Sequence, residues 1–310
     1  GLVGSEMCIR DRRQGAKDLG LEVTPAEIDA RLKEYGAPDD EIYRDMVSTE
    51  LFWEKLEEYD DFQPPDSMEQ AHVQVMLVES EEVADEVIAE IEAGGNFTAL
   101  VEEFSCNSSI EGDLGWLPSE LMPTTLIADA AFNLTPGETV HRIYDATAIK
   151  SIGYWLIEVT DKEEDKIEAR AMLLGSKAEA EWVKAELVSD SFSSLAKDYS
   201  QHKSKDEGGE LGWLEQGDMG SDAFDEVAFN FTVNELSEPV KDEAVQTTGG
   251  YWLVKVIDRG DYELEEKVKE RLIDKYVNEW FEEWAEESTI ETHLEGGRIE
   301  WALYEVLRKR

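Results

Sequence analysis

An internal repeat is the feature that most constrains how this 310-residue chain can fold. Four short sequence segments recur in the same order in the second half of the chain. Phe97 recurs as Phe192, an offset of 95 residues, and the other three pairs are offset by 97 residues. Those three pairs are residues 113–117 with 210–214, 131–133 with 228–230, and 153–156 with 250–253. Self-similarity at a nearly fixed spacing indicates that one domain has been duplicated.

Each copy of the repeat is predicted to have the same order of secondary-structure elements. A short strand is followed by an amphipathic helix, which lies at residues 81–93 in the first copy and 177–188 in the second. A second short helix, a Leu-Gly-Trp strand and a third short helix come next. A final strand, at residues 154–159 or 251–257, is expected to close its own copy. The order βααβαβ predicts two tandem α+β domains.

Helical segments are predicted on both sides of the repeats. Thr24 is placed to cap a helix that has Pro25 at its first position and Glu27 at its third. A second helix is expected at residues 40–58, and residues 298–307 are helix-like. A stripe of large side chains at a spacing of four predicts a helix at 264–287, and it consists of Leu272, Tyr276, Trp280 and Trp284. The stripe either packs in a core or lines an apolar cradle.

These patterns divide the chain into five parts. Residues 13–66 are an N-terminal helical segment, and residues 261–310 are a C-terminal one. The two repeat domains are expected at residues 72–162 and 166–260. Residues 1–12 resemble a recurrent spurious translation of sequencing-adapter DNA. We therefore expect them to be an artefact that replaces the natural start, along with any signal or anchor that it carried.

The charge and the cysteine content limit the classes of partner. The chain has 73 acidic and 29 basic residues, a net charge of −44, which repels phosphates and argues against nucleic-acid binding. Cys8 and Cys106 are the two cysteines, and they show no metal-ligand spacing with the four histidines. We therefore expect neither a metal nor another cofactor.

The repeated landmarks, taken together, resemble a known family. A Phe-Ser or Tyr-Ser pair, a Leu-Gly-Trp strand, a Met, an Ala-Phe pair and a Gly-Tyr strand occur in this order in both copies. The pattern resembles that of the parvulin (rotamase) peptidyl-prolyl cis-trans isomerases. Two such domains between helical flanks are similar to the SurA-like periplasmic chaperones and the PrsA-like foldases. The resemblance covers about residues 72–260 and extends more weakly to the flanks.

The resemblance implies a site in the second copy. In the family, a Met and a Phe form an apolar socket for the proline ring, beside two His and a Cys or Asp. Met219 and Phe224 are at the socket positions, and His202, at the Cys/Asp position, is the candidate catalytic residue. Thr247 lies near a Thr/Ser position of the family. The two family histidine positions are occupied by Ala171 and Trp252.

The first copy departs further from the family pattern. Its socket positions are Met122 and Leu126, and its Cys/Asp position is Asn107. Its two histidine positions are Val75 and Trp155, so both copies have a tryptophan in place of the second histidine. Each tryptophan either fills the space of the missing histidines or forms a platform on which a peptide stacks. His202 is likewise either a catalyst or an exposed loop residue.

Three functions are compatible with these features. The resemblance implies an extracytoplasmic folding factor of a bacterium, in the periplasm or at the cell surface, that binds unfolded or proline-containing segments of exported proteins. If the chain is an isomerase, its first domain is expected to be inactive and its second weak or inactive. The alternatives are a non-catalytic holdase chaperone with degenerate parvulin domains, and a structural module of an envelope assembly. The sequence shows neither a phosphate-binding loop nor a Ser-His-Asp set, which argues against a nucleotide-dependent enzyme and a hydrolase.

Overall fold

A computed structural model describes residues 16–107, 112–137 and 140–287 of the chain. The expectations for residues 1–12, for Cys8 and for residues 298–307 lie outside this range. The described helices are α1 Pro25–Tyr35, α2 Glu41–Glu57, α3 Glu81–Glu92, α4 Phe97–Phe104, α5 Thr125–Asn133, α6 Lys177–Glu186, α7 Phe192–Tyr199, α8 Asp222–Ala228 and α9 Glu266–Glu287. The described strands are β1 Ser67–Val78, β2 Asp113–Leu117, β3 His141–Lys150, β4 Gly153–Glu163, β5 Lys166–Leu174, β6 Glu210–Leu214, β7 Val240–Asp242 and β8 Thr247–Glu263.

The chain divides into two compact units. The sheet unit is formed by the described residues of 69–262, and the helical unit combines residues 16–68 with 263–287. Both units contain elements that the repeat and flank patterns predicted. Within the described residues, no helix is both long enough and apolar enough to cross a membrane.

The helical unit is built from α1, α2 and α9 around a small apolar core. The predicted start of α1 is confirmed, because Thr24 and Glu27 form a capping box in front of Pro25. Its end is set by Gly36, which has a φ of 61° and accommodates the left-handed conformation that stops a helix. The core consists of Ala16, Phe52, Leu56, Phe62 and Val277, with Trp280 packed against it. Trp280 therefore supports the core interpretation of its stripe.

The sheet unit contains two four-stranded antiparallel sheets. In sheet A the strand order is β2-β1-β8-β3, and in sheet B it is β6-β5-β4-β7. The expectation that each repeat is closed by its own final strand is therefore wrong. The final strand of the first repeat, β4, lies in sheet B, and that of the second repeat, β8, lies in sheet A. We call β4 and β8 the closing strands.

A local contact explains why β4 joins sheet B. Only Glu164 and Asp165 separate β4 from β5, and Glu163 pairs directly with Lys166. The turn is tight enough that Glu164 takes a positive φ of 33°. A hairpin of neighbouring strands forms at a small cost in loop entropy. The repeat pattern could not reveal this pairing, because the two closing strands have almost the same sequence.

Each sheet is covered on both faces. In sheet B, alternate residues such as Leu156 and Met172 pack against α6 and α7, with Phe192 in the same core. The opposite face carries Trp155, Ile157 and Ala171, which share a core with residues of α8. Sheet A repeats this plan, with Met76, Val78 and Leu253 packed against α3 and α4. The faces covered by α8 and by its counterpart α5 hold the predicted site residues.

Candidate functional site

The face of sheet B that is covered by α8 brings together four side chains. Trp155 on β4 lies with its ring centroid 5.3 Å from that of Phe224 and 5.3 Å from that of His202. Met219 packs against the same apolar core as Trp155 and Phe224. Phe224 and Trp155 are fully buried, whereas Met219 and His202 are half-buried. We call these four residues the His202 site.

The structure assigns a different tryptophan to this site from the one that the sequence predicted. Trp252 was expected beside Met219, Phe224 and His202, but it lies on β8 in sheet A. Trp155, expected in the first copy, takes the corresponding place on β4. The reason is the exchange of the closing strands between the two sheets. The His202 site is therefore composed of residues from both repeats.

A buried carboxylate holds the apolar part of the site in place. Asp242 accepts hydrogen bonds from the Trp155 Nε1–H at 2.9 Å, from the Ala244 N–H at 2.8 Å and from the Ser221 hydroxyl. Ser221 in turn caps α8 by accepting the N–H of Phe224 at 3.0 Å. The indole and the helix that carries Phe224 are thus fixed by one acid. Sequence reasoning missed Asp242 and Ser221.

A signal for this network was present in the sequence. A buried indole needs a hydrogen-bond acceptor for its N–H. In sheet A, Trp252 donates to Asp145 at the same distance of 2.9 Å, and Thr124 caps α5 as Ser221 caps α8. Asp145 and Asp242 are offset by 97 residues, as are Trp155 and Trp252. The recurrence of an aspartate with each tryptophan could have indicated two tryptophan–aspartate hydrogen bonds. It could not have shown which aspartate pairs with which tryptophan.

His202 forms the polar edge of the site. Its Nδ1 accepts the N–H of Ser204 at 3.3 Å and lies 2.9 Å from the Ser204 hydroxyl. Since Nδ1 accepts an N–H, the proton of the neutral ring lies on Nε2. Burial, aided by the charge of Lys203, holds the pKa of His202 below its ordinary value of 6.5. The imidazole is therefore neutral near pH 7 and can act as a hydrogen-bond donor.

The lowered pKa of His202 gives a prediction for the pH dependence of stability. A titration followed by NMR should give a folded-state pKa for His202 below 6.5. Between that pKa and 6.5 the unfolded chain binds more protons than the folded chain, so this group makes the free energy of unfolding rise with pH. The contribution is complete above 6.5 and is lost as the pH falls through the window. His202→Gln should flatten this part of the profile, and a folded-state pKa at or above 6.5 would refute the prediction.

Two other predicted positions of the second copy are buried. Thr247 is 2% exposed, and its hydroxyl donates to the carbonyl oxygen of Ile152. Ala171, at the first family histidine position, is completely buried among the residues that surround Trp155. Thr247 therefore holds the start of β8 to the start of β4 in this structure. Its role in binding stays a prediction.

The first-copy residues lie on the corresponding face of sheet A. Met122 and Val75 are buried, and the amide nitrogen of Asn107 donates to the Ile149 carbonyl at 3.5 Å. The structural counterpart of Phe224 is Ile127, because each follows its helix cap by three residues. Leu126, which the sequence comparison placed there, is the preceding residue and is only partly buried. The cap at Thr124 therefore fixes Ile127, and not Leu126, as the residue at this position.

This one-residue correction can be tested by stability. Ile127→Ala should lower the free energy of unfolding by about 2–4 kcal/mol, since the side chain is completely buried. Leu126→Ala should cost clearly less, because part of its side chain stays in water in the folded state. Urea unfolding of both variants measures the difference. A larger cost for Leu126→Ala would restore the original placement.

The described residues contain no group of three or more His, Cys, Asp or Glu side chains that could hold a metal ion. Cys106, next to Asn107, is partly buried, and burial raises the pKa of its thiol to about 11. The thiol is therefore protonated near pH 7, and Cys106 packs against the core of sheet B.

Comparison with known proteins identifies the family. The family model of the PPIC-type PPIase (rotamase) domain matches residues 68–161 and matches again at residues 155–258. The chain therefore belongs to the PPIC-type peptidyl-prolyl isomerase, or parvulin, family. The two matches share residues 155–161, which lie within β4.

Similar proteins include foldases and chaperones. Foldase protein PrsA of Geobacillus kaustophilus is 40% identical over 113 residues, which are 33% of this chain and 38% of the relative. Chaperone SurA of Chromohalobacter salexigens is 26% identical over 279 residues, 83% of this chain and 58% of the relative. The chain thus spans less than two thirds of the length of these relatives. The crystal structure of PrsA from Bacillus anthracis is 12% identical and matches 95% of this chain and 100% of that one, with a TM-score of 0.29.

Proposed function

We propose that the chain is an extracytoplasmic folding factor that binds unfolded or proline-containing segments of exported proteins. The observation that carries this proposal is the composition of the His202 site, where an apolar cluster meets a single neutral imidazole. Family membership and the similarity to a foldase and a chaperone support it. The periplasm or the cell surface as its location, and attachment to a membrane, belong to the same proposal.

The site suits the chemistry of prolyl isomerisation. Rotation about an X–Pro bond is opposed by a resonance barrier of roughly 18–20 kcal/mol. A catalyst must bind the twisted amide better than the planar one. Met219 offers a half-buried apolar contact for the proline ring, and the His202 Nε2–H can donate to a carbonyl oxygen of the peptide. Phe224 and Trp155, both fully buried, support these two side chains from behind.

The charge of the chain suits clients that would otherwise aggregate. A net charge of −44 keeps a complex with an exposed apolar segment soluble and attracts basic segments. The same charge argues against a nucleic-acid partner. The proposed partners are therefore unfolded or nascent exported polypeptides.

An isomerisation assay on short X-Pro peptides tests the proposal with the full chain. The chain is expected to accelerate isomerisation above the spontaneous rate, and Met219→Ala is expected to lower that acceleration severalfold. Met46→Ala, which changes an exposed methionine of the helical unit, serves as the control for the loss of a methionine. Met122→Ala measures how much of the acceleration of isomerisation comes from the first repeat.

The contrary outcomes are distinct. A folded chain that does not accelerate isomerisation but prevents the aggregation of an unfolded protein would be a holdase, the alternative function. A folded chain that does neither would contradict the proposal. Residues 166–260 alone are unsuitable for the assay, because they lack β4 and with it Trp155.

A further inference from the structure

The two closing strands are nearly interchangeable except at one charged position. Residues 153–159 of β4 read Gly-Tyr-Trp-Leu-Ile-Glu-Val, and residues 250–256 of β8 read Gly-Tyr-Trp-Leu-Val-Lys-Val. The isoleucine of β4 and the valine of β8 at the fifth position differ little in volume. At the next position, Glu158 of β4 and Lys255 of β8 have opposite charges. The sheet that each closing strand joins must therefore be determined largely by this charged position or by the segments that connect the strands.

The charged position meets a cation in sheet B. Glu158 pairs across the strands with Arg170 of β5, and the Arg170 Nη2 and Nε lie 2.9 and 3.1 Å from one carboxylate oxygen. Both side chains are largely buried, with 20% and 28% of their surface exposed. If β8 replaced β4, Lys255 would stand opposite Arg170. Like charges directly opposite one another destabilise a strand pair.

In sheet A, the position equivalent to Arg170 is not a cation. Val75 of β1 donates its N–H to the Gly112 carbonyl as Ala171 of β5 donates to Gly209, so these two residues correspond. The residue before Val75 is Gln74, where sheet B has Arg170. A lysine on the closing strand is therefore tolerated in sheet A and disfavoured in sheet B.

The tryptophan contacts give no preference between the two pairings. Trp155 donates to Asp242 and Trp252 donates to Asp145, both at 2.9 Å. The end of β3 and the start of β8 pair antiparallel, with Lys150 opposite Thr247. Two contacts do distinguish the pairings: the two-residue turn that joins β4 to β5, and the Glu158–Arg170 pair.

We propose that the Glu158–Arg170 pair acts with the β4–β5 turn to select the exchanged pairing, and that it thereby helps to make Trp155, and not Trp252, the positioning residue of the His202 site. The His202 site and the corresponding site of sheet A are then each complete only when both repeats are present. Which strand serves the site does not depend on the proposed function.

The first test uses His202 as a reporter in the full chain. Trp155→Phe and Trp252→Phe are matched variants, since each replaces one indole at the same repeat position. Trp155→Phe is expected to shift the ring-proton resonances of His202 and to move its pKa toward 6.5, because the neighbouring indole is lost. Trp252→Phe is expected to leave both unchanged. A response to Trp252→Phe in place of Trp155→Phe would overturn the exchange.

The second test concerns the cause. The double variant Glu158→Lys/Lys255→Glu moves the favourable charge to β8, and it should shift the ratio of the two pairings by about tenfold toward closure of each repeat by its own strand. In that background, His202 should respond to Trp252→Phe. If the double variant folds and His202 still responds to Trp155→Phe alone, the charge pair does not select the pairing. If the double variant is unstable, the single variant Lys255→Glu replaces it. In that background, His202 should respond both to Trp155→Phe and to Trp252→Phe. A response to Trp155→Phe alone would reject the proposal.

Discussion

Phe224→Ala is expected to lower the free energy of unfolding by about 3–5 kcal/mol. The Phe224 ring is completely buried, it contacts Trp155, and it lies in a core that includes Ile157, Ala171 and Leu214. Truncation removes its apolar contacts and leaves a cavity that rigid strands cannot fill. Urea or thermal unfolding, followed by tryptophan fluorescence, measures the change.

The matched control is Phe229→Ala. Phe229 follows the same helix and packs at the edge of the same core, but it is only partly buried. Its truncation should therefore cost clearly less. Equal losses for the two variants would mean that Phe224 is not the centre of this core, and the arrangement of the His202 site would have to be revised.

The elements could be predicted because local patterns determine them. The repeat indicated two α+β domains, and the start of α1 followed from Thr24, Pro25 and Glu27, since a cap is a property of a few neighbouring residues. Met219, Phe224 and His202 were identified through the family motif, and the structure brings them together. These features depend on sequence that is close along the chain or on a pattern shared with relatives.

The pairing of the closing strands could not be predicted in the same way. Strands with almost the same sequence satisfy either sheet, and the choice depends on the β4–β5 turn and on the contact between Glu158 and Arg170. The predicted domains, residues 72–162 and 166–260, follow the repeat. Each sheet, however, contains strands from both of these predicted domains. The exchange of Trp155 and Trp252 between the predicted sites is a direct consequence.

Asp242→Ala is expected to lower the free energy of unfolding by about 2–4 kcal/mol. The carboxylate is 3% exposed and accepts hydrogen bonds from Trp155, Ser221 and Ala244. Without it, the buried Trp155 indole N–H and the buried Ser221 hydroxyl lose their acceptor, and a buried donor that is left unpaired costs roughly 1–3 kcal/mol. Asp198→Asn, at an exposed position of α7, controls for the loss of one negative charge and should change stability by less than about 0.5 kcal/mol.

A double-mutant cycle with Trp155→Phe separates this network from general damage to the core. If the indole N–H depends on Asp242, the cost of the double variant should be smaller than the sum of the single costs, with a coupling of about 0.5–3 kcal/mol. The same cycle with Trp252→Phe should be additive, since Trp252 donates to Asp145. Coupling of Asp242 to Trp252 would mean that β8 lies in sheet B in solution. The cycle therefore tests, by stability alone, the strand exchange that assigns Trp155 to the His202 site.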